Sequence, residues 1–161
     1  MRRIVVLAIA AVAIVFPASL APAQQQPAAI TAKPYAPSLA DMMLLVQVRH
    51  AKLWLAGRAA NWELANFAVH EIEEGLEDMA KLHPNYKDSP IGPMIESSVK
   101  APIEQIEKAI KARNRAAFTG AYDRLTAACN TCHQSTNHGF IVIQRPAGSA
   151  FPNQSFAPAR R

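Results

Sequence analysis

Apolar and polar positions alternate with helical spacing over most of the chain, and four segments carry the pattern. The sharpest follows Asn61, a capping residue. There Trp62, Ala65, Val69, Ile72, Leu76 and Met79 recur at intervals of three and four, the spacing of a seam packed against other helices. Glu63, Glu71, Glu73, Glu74, Glu77 and Asp78 fall mostly off that seam and read as a solvated face. Upstream, Ser38 with Asp41 three positions on predicts a capped helix over 38–56. Leu39, Met43, Val46, His50, Leu53 and Trp54 form its inward face, Met42 falls further off it, and Gly57 is the expected stop.

Downstream, 82–89 reads as a loop, and Ser89-Pro90 as the cap and first position of a third helix. Ile95, Val99, Ile103, Ile106 and Ile110 supply its apolar face. Pro102 either kinks this helix or splits it, with Ser98 capping the second piece. Asn114 caps a fourth helix, whose stripe is Phe118, Tyr122, Leu125 and Cys129, with Gly139 as its end. Phe140, Ile141, Val142 and Ile143 then read as a short extended piece, followed by an irregular tail containing Pro146, Pro152 and Pro158. Amphipathic helices on short connections, with no convincing strand pattern before residue 140, predict an all-α fold. The expected architecture is an antiparallel four-helix bundle over 38–139 with a tail over 140–161.

The chain's start adds a compartment. Arg2 and Arg3 precede an apolar run from Ile4 to Phe16, and Ala21-Pro22-Ala23 offers a small-residue cleavage site. A run this short fits a removed signal peptide over 1–23, with no stable membrane insertion afterwards. A flexible leader rich in Gln, Ala and Pro is expected over 24–37. Losing Arg2 and Arg3 lowers the formal charge from +5 to +3. The remaining basic residues are scattered rather than striped with aromatics, so nucleic acid is not an expected partner.

Candidate chemistry is concentrated in residues 129–133, Cys-Asn-Thr-Cys-His, which use both cysteines of the chain. A disulfide between thiols three apart closes too small a loop to stabilise much. The Cys-x-x-Cys-His spacing is the signature of covalent c-type haem attachment. The two thiols add across the haem vinyl groups, and the adjacent imidazole reaches the iron. At roughly 100° per residue, Cys132 and His133 flank the stripe of Cys129 within about 60°. Three other uses of these residues remain open: a redox-active dithiol, a zinc site from Cys129, Cys132, His133 and His138, and a plain disulfide.

At these residues the chain resembles the class II c-type cytochromes, which include cytochrome c-prime. Members of that family are exported four-helix bundles with Cys-x-x-Cys-His near the end of the last helix. The resemblance covers roughly 38–138 and is specific only at the motif. It implies one covalent haem c, thioethers at Cys129 and Cys132, and His133 as proximal iron ligand. It also implies a periplasmic one-electron carrier with a periplasmic redox partner protein, and it allows a homodimer. In low-spin members a methionine early in the first helix supplies the sixth ligand, a place that Met43 occupies here. The family's usual short basic helix end is replaced by Phe140-Ile141-Val142-Ile143-Gln144-Arg145-Pro146 and a further tail.

The second axial position separates the functions. Two strong ligands suit electron transfer, and an open face suits binding of small gases such as NO or CO. Met43 is a candidate ligand or core filler. His50 is a candidate ligand, a propionate contact or a hydrogen-bonded core histidine. Phe118 and Tyr122 are expected to wall the haem pocket. Arg49, Lys52 and Arg124 are candidates for propionate pairing or for simple solvation. His70 and His83 are expected to be exposed, and His138 lies too near His133 to reach the opposite face. Trp54 and Trp62 read as core packing. No acid–base pair or activated nucleophile suggests an enzyme.

Overall fold

The computed structural model describes residues 35–160. The expected signal peptide over 1–23, positions 24–34 of the expected leader, and Arg161 lie outside the described residues. Four helices follow in order: α1 (Leu39–Arg58), α2 (Trp62–Leu82), α3 (Ile91–Lys111) and α4 (Arg115–Ser135). No strand is present among the described residues; one isolated bridge joins Tyr86 and Ser89. Each helix packs along the next, whereas α1 and α4 touch only sparingly. The fold is therefore a four-helix bundle with three closed seams and one open one. No described helix is long and apolar enough to cross a membrane.

Three of the four starts follow from capping side chains. Ser38 Oγ accepts from Asp41 N–H at 3.1 Å and donates to the Asp41 carboxylate at 2.7 Å. Asn61 Oδ1 accepts from Leu64 N–H at 3.1 Å, and Asn114 Oδ1 from Ala117 N–H at 3.0 Å. These bonds satisfy amides that no helical carbonyl reaches. The third start differs from expectation by one residue. Pro90 occupies the cap position without a side-chain bond, because Ser89 is held in reciprocal backbone bonds with Tyr86.

Two expected stops are also displaced. Gly57 does not end α1; it is buried within the helix, where a Cβ would stand 2.1 Å from the Phe118 ring. Its glycine character serves a close approach of α1 to α4. The turn is made instead by Ala60, whose φ is 58°, with Asn61 N–H donating to Ala56 O at 3.0 Å and Ala60 N–H to Gly57 O at 3.0 Å. The same pair of bonds closes α3 around Arg113, φ 50°, and α4 around Asn137, φ 61°. This left-handed closure captures the last carbonyls of a helix. Asn137 therefore terminates α4, and Gly139 lies beyond it.

Pro102 neither splits α3 nor makes Ser98 a cap. The helix runs through it, and Ser98 Oγ donates back to Met94 O at 2.7 Å. The core joins Leu53 of α1, Ile72 and Met79 of α2, Ile106 of α3, and Phe118, Tyr122 and Leu125 of α4. The α2 seam is as expected, except that Trp62 is only half-buried. On α1 the inward register is corrected at one pair: Met42 is the buried methionine, and Met43 is half-buried on a neighbouring face.

Candidate functional site

The sparse contact between α1 and α4 leaves room for a cavity of about 440 Å3. That size lies in the range of small-molecule and cofactor sites, roughly 300–1,000 Å3. Its walls come from the first turns of α1, the start of α3, the end of α4 and the segment beyond it. Met43, His50, Cys129, Cys132 and His133 all line it. Apolar neighbours, among them Leu39, Val46, Ile91, Ile141 and Ile143, make up most of the remaining surface. A wider depression of about 690 Å3 between α2 and α3 is open and edged by charged residues such as Glu107, Lys108 and Lys111.

Helical spacing places Cys129, Cys132 and His133 on adjoining turns of α4. Both thiols are free. Burial pushes the Cys129 thiol up to about 11, with Cys132 adding to the effect, and burial also raises Cys132. Raised thiols are the reverse of what a redox-active dithiol requires, and the pair sits at the end of its helix rather than the start. Among the described residues no group of three or more His, Cys, Asp or Glu side chains is placed to hold a metal ion. That arrangement does not favour the zinc use of these residues.

His133 has a defined orientation. Its Nδ1 lies 3.0 Å from Ile141 O. A carbonyl only accepts, so Nδ1 carries the proton and Nε2 keeps its lone pair for a ligand. His50 is held differently. It is 4 % exposed and stacked on Tyr122, with ring centroids 4.4 Å apart. Its Nδ1 lies 2.9 Å from Tyr122 OH and its Nε2 2.9 Å from Thr126 Oγ1. Thr126 spends its own proton on Tyr122 O at 2.9 Å. Nε2–H therefore donates to Thr126, and the Tyr122 hydroxyl donates to Nδ1. Burial holds His50 down at about 4, so it is neutral, and it pushes the Tyr122 hydroxyl well up. Both ring nitrogens are engaged.

Several expected contacts are not made. Phe118 and Tyr122 do not wall the cavity; they lie in the core, and Tyr122 reaches the cavity only through His50. Arg49 pairs with Glu71 at 2.9 Å, Lys52 lies over the Phe151 ring, and Arg124 bonds to Gln105. His70 is exposed beside Glu74, but His83 is half-buried, its Nε2 2.9 Å from Pro37 O. His138 lines the cavity, with Nδ1 on Thr136 O at 2.7 Å. Tyr86, Ile91, Ile141 and Ile143 also line the cavity, and the helical periodicity did not mark them. The alternation Ile141, Ile143 was the available signal.

Two thiols, an imidazole with a bare Nε2, an unencumbered thioether and a mainly apolar cavity fit a covalently held haem, by the chemistry of the donor set. Comparison with known proteins gives no match to this chain, whether among family models, curated proteins or solved structures.

Proposed function

We propose that this chain is an exported, periplasmic monohaem c-type cytochrome that carries single electrons to or from a redox partner protein. The observation that supports the reading is that Met43, on α1 and remote in sequence, lines the same mainly apolar cavity as Cys129, Cys132 and His133 of α4. In this reading Cys129 and Cys132 hold the haem through thioethers, and His133 Nε2 is the proximal donor. When bound, the haem supplies one-electron cycling between ferric and ferrous iron, and no substrate is transformed. The chain's own contribution is a water-poor pocket and a defined axial pair.

Met43 is the sixth ligand in this proposal. His50 would have to give up a bond to Tyr122 or Thr126 before either nitrogen was free, at a penalty for the partner left buried. The Met43 thioether has no such commitment, and Met42 is occupied in the core. The test is maturation of the full chain in cells with a haem-attachment system. Mass spectrometry should find one haem per chain, and the reduced protein should give sharp low-spin bands. Met43→Leu should retain the haem but convert the spectrum to high spin, with a change on adding carbon monoxide. A wild-type protein that is already high-spin and binds carbon monoxide would replace electron transfer with gas binding. Unmodified thiols would remove the haem reading altogether.

A further inference from the structure

The segment beyond α4 turns back along that helix, and its anchor points run in reverse order: Ile141 at His133, Ile143 at Asn130, Arg145 at Asp123. Asn130 Nδ2 donates to Ile143 O at 2.9 Å, and Ile143 N–H donates to Asn130 Oδ1 at 2.7 Å. One side-chain amide thus satisfies both backbone groups of one residue, as a neighbouring strand would. Arg145 fixes the far end with two bonds to Asp123, Nε–Oδ1 being 2.6 Å, and its guanidinium lies 4.7 Å from the Trp54 ring centre. At the near end, Ile141 N–H donates to His138 O at 2.8 Å. The lengths agree. An extended chain covers about 13 Å from Ile141 to Arg145, and α4 rises about 15 Å from Asp123 to His133.

We infer that Asn130 is a positioning residue for His133, acting through a clasp formed with residues 141–145. Once Ile143 is held, the carbonyl two residues before it has little freedom. That carbonyl is the acceptor for His133 Nδ1–H, so the clasp fixes the tautomer and the ring's orientation. Asn130 occupies a spacer position between Cys129 and Cys132, so thiols, imidazole and clasp ride on the same turns of α4. Ile141 and Ile143 also line the cavity, so the clasp holds part of its wall in place. The effect on iron rests on the haem reading above; the clasp itself rests only on the hydrogen bonds. A hydrogen-bonded Nδ1–H makes Nε2 a more basic donor, which favours the ferric state. Loosening the clasp raises the midpoint potential.

The test compares the full, haem-matured chain with Asn130→Ala, Asn130→Asp and Ile143→Pro. The proline removes the amide that Asn130 accepts from and leaves α4 untouched. All should retain covalent haem by mass. Asn130→Ala should exchange the Ile141 and Ile143 amides at least about tenfold faster than wild type, Ile143→Pro should do so at Ile141, and both should show a higher midpoint potential. Asn130→Asp, which keeps the acceptor and loses the donor, should fall between. Wild-type exchange in Asn130→Ala overturns the clasp. Faster exchange with an unchanged potential overturns the positioning role. A wild-type chain that emerges without haem defeats the haem reading instead, and exchange on that haem-free chain still decides the clasp.

Discussion

The α2–α3 side of the bundle and the α1–α4 side are built by opposite rules. Along α2 and α3 the buried positions are aliphatic and alanine residues with one glycine, Gly92, and one methionine, Met79; Ile72, Ile106 and Met79 are almost fully enclosed there. Between the start of α1 and the end of α4 the helices leave a gap lined by His50, Met43, two thiols and His133, whereas Gly57 and Phe118 bring the opposite ends close together. The first side is packed along its length. The second packs Leu53, Phe118 and Tyr122 into the core and leaves a gap at one end, where polar and sulfur groups gather. Candidate chemistry is thus kept away from the α2–α3 seam.

That separation has measurable consequences. Ile72→Ala, on the sealed side, should lose roughly 4 kcal/mol by denaturant titration, through lost burial and the cavity left behind. Its haem content should equal that of wild type, and a parallel loss of haem would mean that the two sides are not independent. On the open side the sensitivity is to pH. The folded chain keeps His50 neutral down to about 4 against an ordinary value of 6.5. Above pH 6.5 neither state is protonated there, and the full stability is present. As pH falls from 6.5 towards 4, only the unfolded chain takes up this proton. The haem-free protein should then lose roughly 3 kcal/mol from this group. Subtracting the same titration of His50→Gln isolates the contribution, and identical pH profiles would show that His50 is not shielded. The smallest effect belongs to neither side. Ala60→Gly relieves a left-handed alanine in the first turn and should add about 1 kcal/mol without altering spectrum or pH profile.

The same contrast explains what could be read in the sequence. The α2 seam was legible because one face meets one core and every inward position is apolar. On α1 the pattern blurs because two overlapping faces are used: Met42 and Leu53 meet the core alone, while Leu39, Met43 and Val46 meet both the core and the cavity. A single stripe drawn through both exchanges Met42 with its neighbour. Gly57 was legible as special, but only the Phe118 ring shows that it serves a close crossing rather than a stop. The placement of Cys129, Cys132 and His133 beside one cavity was legible because three- and four-residue spacings share a helix face. The clasp was not, since it rests on one asparagine amide, one arginine–aspartate pair and backbone groups, which leave no periodic trace.

The turns Ala59-Ala60-Asn61 and Ala112-Arg113-Asn114 share one design: a left-handed residue closes one helix, and the asparagine after it opens the next. Each of the paired hairpins, α1 with α2 and α3 with α4, can therefore form from contacts near in sequence, which are quick to find. The junction of first and last helices demands the widest loop closure in the domain and comes late. Until that final step Cys129 and Cys132 would remain open to solvent and to any reagent in it.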